Sequence, residues 1–138
     1  MKAMIALSLA LIFSVNAHAM SVREYMQLKE RAEIGAPNFD PTARAKIDAY
    51  LEGVADSLLS IQQQSGKIVV EIDGEGRKAS FCPPLAVPMV GPMIETFVDN
   101  GIKNPQVNRQ DHFGDKWDQI AVSSIALGSI KRMFVCKS

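Results

Sequence analysis

The chain is poor in the residues that do covalent or metal chemistry. It has two cysteines and two histidines. No Gly-x-Ser-x-Gly elbow, phosphate-cradling glycine loop or His-Glu-x-x-His pair occurs, so the usual signatures of acyl transfer, nucleotide hydrolysis and zinc peptidase chemistry are missing. Charge of one sign is lacking as well. Fifteen Lys+Arg face fifteen Asp+Glu, and with no basic run the chain is not expected to bind nucleic acid or anionic lipid. Nor does any apolar run reach the roughly 20 residues that span a bilayer. Repeats and low-complexity tracts are absent from the sequence.

The longest apolar run stands at the N-terminus. Lys2 precedes Ala3 to Val15, which contains Met4, Ile5, Leu7, Leu9, Leu11, Ile12 and Phe13, and Ala17-His18-Ala19 follows. A single positive charge, a short apolar stretch and a small-x-small site make a cleavable signal peptide. Residues 1–19 are therefore expected to be the leader, cut after Ala19, and residues 20–138 a single domain in an oxidising, periplasmic compartment. An uncleaved anchor is the competing reading. Loss of Lys2 leaves 14 basic against 15 acidic residues, and His112 as the one remaining histidine.

Two cysteines in an exported chain most simply form one disulfide. Cys82 and Cys136 would close a loop of 54 residues, for which the chain-entropy account gives roughly 4 kcal/mol. The alternatives are a pair of free buried thiols or a metal site, and a zinc site would lack its usual ligand set with His112 alone. No cofactor is expected. Asp111, Asp115 and Asp118 surround His112, but acids at a helix start are already accounted for by the helix dipole. Asp48, Glu52 and Asp56 share a helix face, and a solvated face is the simpler account than a cation site.

Helix signals dominate the remainder. Ser21-Val22-Arg23-Glu24 is a capping box, opening a helix that runs to about Ile34, with Gly35 and Pro37 as stops. Asp40-Pro41 starts a second helix as N-cap and first-turn proline. Along it Ile47, Tyr50, Leu51, Val54, Leu58 and Ile61 draw one apolar stripe. Gly53 lies beside that stripe and costs up to about 1 kcal/mol relative to Ala, which a close-packed neighbouring helix would explain. A third helix starts at Pro88 or Pro92, buries Met93, Ile94, Phe97 and Val98, and ends at Gly101. The last is expected from about Asp111 to Met133, with Ile120 to Ile130 apolar nearly all round and so most deeply buried.

Between the second and third helices, Lys67 to Ile72 is rich in β-branched residues, Asp73-Gly74 is a hairpin turn signal and Arg77 to Phe81 can return as a strand. A flexible loop competes with this hairpin. Its polar tip, Asp73, Gly74, Glu75, Gly76 and Arg77, can present a loop to a partner, although an ordinary solvated turn fits the same residues.

Three segments resemble a known family. Tyr50-Leu51-Glu52-Gly53-Val54-Ala55-Asp56 is similar to the tyrosine-x-x-glycine-valine helix motif of the Rap1a/Tai immunity proteins. Phe81-Cys82-Pro83-Pro84 resembles their Phe-Cys-x-Pro segment, and Phe134-Val135-Cys136 their closing Phe-Pro-Cys. The further cysteine pair common in that family's first two helices is absent, and the 67–79 segment is longer and more strand-like. The resemblance implies a small helical periplasmic inhibitor that neutralises a peptidoglycan-degrading toxin of a type VI secretion system by occlusion. The alternative is an accessory protein of a conjugation or secretion apparatus. Either way the expectation is a mainly α, four-helix domain with a short β-hairpin arm and one disulfide, binding a protein rather than catalysing, with a homodimer among the assemblies open to it.

Overall fold

The computed structural model describes residues 19–71 and 78–136. Within them the protein is mainly helical, with one antiparallel hairpin and a Cys82–Cys136 disulfide. Four principal helices form the body: α1 (Val22–Ala32), α2 (Pro41–Ser65), α3 (Gly91–Ile102) and, reached through short turns, α6 (Val122–Met133). The hairpin of β1 (Ile68–Glu71) and β2 (Lys78–Phe81) sits between α2 and α3 in the chain. Its register pairs Ile68 with Phe81 and Glu71 with Lys78.

The helix starts follow their capping residues. The Ser21 hydroxyl accepts from the Glu24 amide at 3.2 Å, and the Asp40 carboxylate accepts from the Thr42 amide and hydroxyl at 2.8 and 2.7 Å. Those two donors hold the Asp40 carboxyl below its ordinary pKa. At the C-terminus of α2, Gly66 adopts φ +68°, the left-handed cap that glycine takes without a Cβ clash.

The core lies between α2, α3 and α6. α2 buries Ala43, Ile47, Leu51, Ala55, Leu58 and Gln62, a line at steps of three and four. α3 buries Ile94, Phe97, Val98 and Gly101 against Val122, Ile125, Ala126, Ser129 and Ile130 of α6. The two backbones approach closely because position 101 is glycine. A Cβ there would stand 2.5 Å from Ile125 Cγ2 and 2.6 Å from Ser129 Oγ, and that hydroxyl donates to the Phe97 carbonyl at 2.7 Å.

Gly53 behaves otherwise than expected. Among the described residues a Cβ at this position would meet nothing within 4 Å, so none of the described helices accounts for it. The close-approach glycine is Gly101.

The single helix expected from Asp111 to Met133 is also corrected. The chain instead forms α4 (Pro105–Asn108), α5 (Gln110–Phe113), a 3-10 helix (Gly114–Gln119) and α6. The break has a nonlocal cause. Ser21 and Ala121 form a β-bridge, the Val22 amide donates to the Ile120 carbonyl at 2.9 Å, and the Val122 amide donates to the Met20 carbonyl at 2.8 Å. Extended backbone at 120–121 is required by those bonds and excludes a continuous helix.

Ionic contacts tie α1, α2 and α3 together. Tyr25, 1 % exposed, donates its hydroxyl to Asp99 at 2.7 Å. Lys29 reaches Asp99 at 2.7 Å and Glu95 at 3.1 Å, and Arg44 holds Glu95 through two bonds of 2.9 and 2.6 Å. Burial and the bond to Asp99 raise the Tyr25 pKa well above its ordinary value. The Arg44 fork holds the Glu95 carboxyl below its ordinary value, burial opposing it in part and Lys29 assisting.

Two outcomes are expected from urea unfolding. Gly53→Ala should stabilise by about 0.5–1 kcal/mol, since it removes a helix-interior glycine without a clash, while Gly101→Ala should destabilise by about 1–3 kcal/mol through overpacking. With a depressed folded-state pKa, Glu95 contributes stability that is fully present above the ordinary carboxylate value of about 4.3 and is lost as pH falls through the lower folded one. Glu95→Gln should therefore flatten the acid limb of the stability curve, and an unaltered limb would contradict this role.

Candidate functional site

The strongest local organisation surrounds the disulfide. Cys82 and Cys136 are joined with their Cα atoms 4.9 Å apart. The Cys82 amide donates to the Phe134 carbonyl at 2.8 Å, and Phe81 bridges Val135 in antiparallel fashion. From the opposite side buried Gln62 of α2 donates to the Pro83 carbonyl at 2.9 Å. That bond satisfies a polar side chain only 2 % exposed, whose burial without a partner would cost roughly 1–3 kcal/mol. Phe134 adds an edge-to-face contact with Phe97 of α3, centroids 6.1 Å apart. The base of the hairpin, the end of α6 and the middle of the core are thus one junction.

Two open faces flank α6 beside this junction. On one side lies a cavity of about 630 Å³. Phe81 and Val135 form one wall, Val107, Arg109 and Phe113 another, and Ile120, Ser124, Ile125, Leu127, Gly128, Lys131 and Arg132 the third. Gly128 lets α4 come close, since a Cβ there would stand 3.1 Å from Val107 Cγ1. Arg109 is the only described non-glycine residue with positive φ, +54°, a conformation costing about 1 kcal/mol or more for an L-residue with a Cβ. Flanking asparagines hold the turn: Asn108 donates to the Ile102 carbonyl at 2.7 Å and accepts from the Gln110 amide at 2.9 Å, while Asn104 caps α4. The Arg109 guanidinium lies 5.4 Å from the centre of the Phe113 ring.

On the other side a groove of about 560 Å³ runs between α2 and α6. Tyr50, Gly53, Val54, Leu58 and Ile61 line it from α2 and Ser123 and Leu127 from α6, together with Ala19, the last residue of the expected leader. Tyr50, Val54 and Ile61 belong to the apolar stripe read from the sequence but are only partly buried. The stripe is wider than the face this chain covers, and the surplus is the groove.

The remaining sequence-derived candidates fall as follows. Cys82 and Cys136 are bonded to one another, as expected, and no described cysteine is free. Asp73, Gly74, Glu75, Gly76 and Arg77 lie outside the described residues, as do residues 1–18 of the expected signal peptide, residues 1–19. His112 is exposed and edge-on to Phe113 at 4.8 Å. Asp118 is taken by Arg23 in a two-bond pair of 2.9 and 2.9 Å. Asp48 pairs with Arg44 at 2.6 Å, and Glu52 lies over Gly91 at the start of α3. Among the described residues no group of three or more His, Cys, Asp or Glu could hold a metal ion, and no helix is long and apolar enough to cross a membrane. Sequence reasoning missed Arg109 and the Lys131–Arg132 pair. The two basic residues read as ordinary dipole partners at a helix C-terminus, and nothing local marks Arg109 as left-handed.

Comparison of the chain with protein-family models, with curated proteins and with solved structures finds no match among any of the three.

Replacing both cysteines by serine is expected to cost about 2–5 kcal/mol, measured by denaturant unfolding under oxidising conditions. A loss below about 0.5 kcal/mol would contradict the junction's place in the fold.

Proposed function

We propose that the chain is an exported, periplasmic protein-binding module. Its resemblance to the Rap1a/Tai immunity proteins suggests the activity: neutralising a peptidoglycan-degrading toxin by occluding its cleft, with no chemistry done by the inhibitor. The observation that carries the reading is Gly53. A glycine in the middle of a 25-residue helix sacrifices up to about 1 kcal/mol of helix stability, yet no described residue occupies the space above it. It sits in an apolar groove with Tyr50 and Val54, the other two residues of the helix motif that resembles the family's. A bare backbone framed by an aromatic and a branched side chain suits close approach of a partner's main chain.

The other two resembling segments are the halves of the disulfide junction, which keeps α6, one wall of the groove, in place. The whole reads as a rigid body with a preformed docking face, and rigidity limits the ordering entropy lost on binding.

The test is whether a peptidoglycan-cleaving enzyme is encoded beside the gene, and whether the protein co-purifies with that enzyme and inhibits it. A stoichiometric complex is expected, and Gly53→Arg should weaken it about tenfold or more while the purified variant still unfolds cooperatively. No such enzyme bound, or deletion of the gene abolishing DNA transfer or secretion without self-intoxication, would overturn the reading. Full binding by Gly53→Arg would remove the groove from it.

A further inference from the structure

The second open face, on the other side of α6, has a different chemistry. We propose that the cavity between α4, α6 and the base of the hairpin binds a small amphiphile: one apolar chain or ring system carrying a single carboxylate.

The apolar half of the argument is the accessible lining. Phe113 and Val135 are exposed and Ile120 and Leu127 half-buried, so their apolar surface is open to the cavity, with the core residues Phe81 and Ile125 behind it. Val107, Ile120 and Leu127 continue the same lining. Walls on three sides, from α4–α5, from α6 and from the Phe81–Val135 bridge, enclose a volume of about 630 Å³. That lies within the roughly 300–1,000 Å³ of small-molecule sites, which are mostly apolar with a few placed polar groups.

The charged half is the rim. Arg109, Lys131 and Arg132 all line the cavity. Of the five described arginines, Arg23, Arg31 and Arg44 each face a carboxylate. The two that do not, Arg109 and Arg132, are both here, and no ion pair to Lys131 forms among the described residues either. A carboxylate lying on the apolar lining can accept charge-assisted hydrogen bonds from such a rim, a guanidinium offering two parallel donors. Arg109 is held by a left-handed backbone that glycine would adopt without strain, and its guanidinium faces the Phe113 ring rather than a carboxylate of the described residues. Strained residues of this kind gather at ligand-binding sites.

Calorimetric titration of the oxidised full-length protein with dodecanoate, kept below its micelle concentration, tests the proposal against dodecanol as the neutral analogue. Saturable one-to-one binding is expected, at least about tenfold tighter for the carboxylate, the difference a charge-assisted bond makes, and weakening as salt is raised. Arg109→Gly should lower dodecanoate affinity about tenfold while the protein becomes no less stable, an outcome a purely structural arginine would not produce. Arg132→Gln should weaken binding to a similar degree, and Ser124→Phe should block it by filling the mouth. Equal affinity for acid and alcohol, non-saturable uptake, or unchanged binding by Arg109→Gly would each overturn the proposal. So would failure of dodecanoate to bind while an acidic protein partner protects the same rim. The Gly53 groove shares only Leu127 with the cavity and Gly53 does not line the latter, so Gly53→Arg should leave dodecanoate binding intact, and the two proposals can fail independently.

Discussion

The fold depends on the junction at Cys82 and Cys136. A covalent bond joins two residues 54 apart in the chain, and the Cys82–Phe134 hydrogen bond, the Phe81–Val135 bridge and the Gln62–Pro83 bond align the segments around it. Each contact joins elements distant in sequence, so the loop-closure entropy is shared among them. The constraint acts on the unfolded ensemble through loop entropy and on the native state by fixing the hairpin base against α2 and α6. A two-stranded hairpin is marginal in water on its own. Here Ile68 and Phe81, both 0 % exposed, make it part of the core.

The ends of the fold follow from the same logic. Met20 is buried and Ser21 pairs with Ala121, so the start of α1 and the start of α6 are joined on the side away from the disulfide. α6 is therefore tethered at both ends, at 121 by backbone pairing and at 134–136 by the junction. Between these points it packs on α3 through Gly101 and leaves its two flanks open, one apolar and one rimmed with cations. Leu127 lines both openings.

What could be read in the residues was local. Ser21, Asp40 and Gly66 stand where their side-chain or backbone chemistry ends a helix, and α1 and α2 begin at their caps accordingly. The β-branched run after Lys67 became β1, and the cysteine pair had one simple partner choice. What could not be read was nonlocal. The break in the last helix is imposed by Met20–Val22, a hundred residues away in the chain, and competes with a helical pattern that is intact. Gly53 and Gly101 look alike as helix glycines, and only the packed structure shows that one separates two backbones while the other faces an opening. Arg109, Lys131 and Arg132 come from separate turns and form a rim only once α4 has folded onto α6.

Amide hydrogen exchange followed residue by residue tests the junction most directly. If the hairpin base and α6 are one cooperative unit, the Cys82 amide in the oxidised protein exchanges only through global unfolding, as slowly as the amides of Ile130 and Phe134. Exchange at Cys82 faster than at α6 by orders of magnitude, with the disulfide intact, would contradict that account.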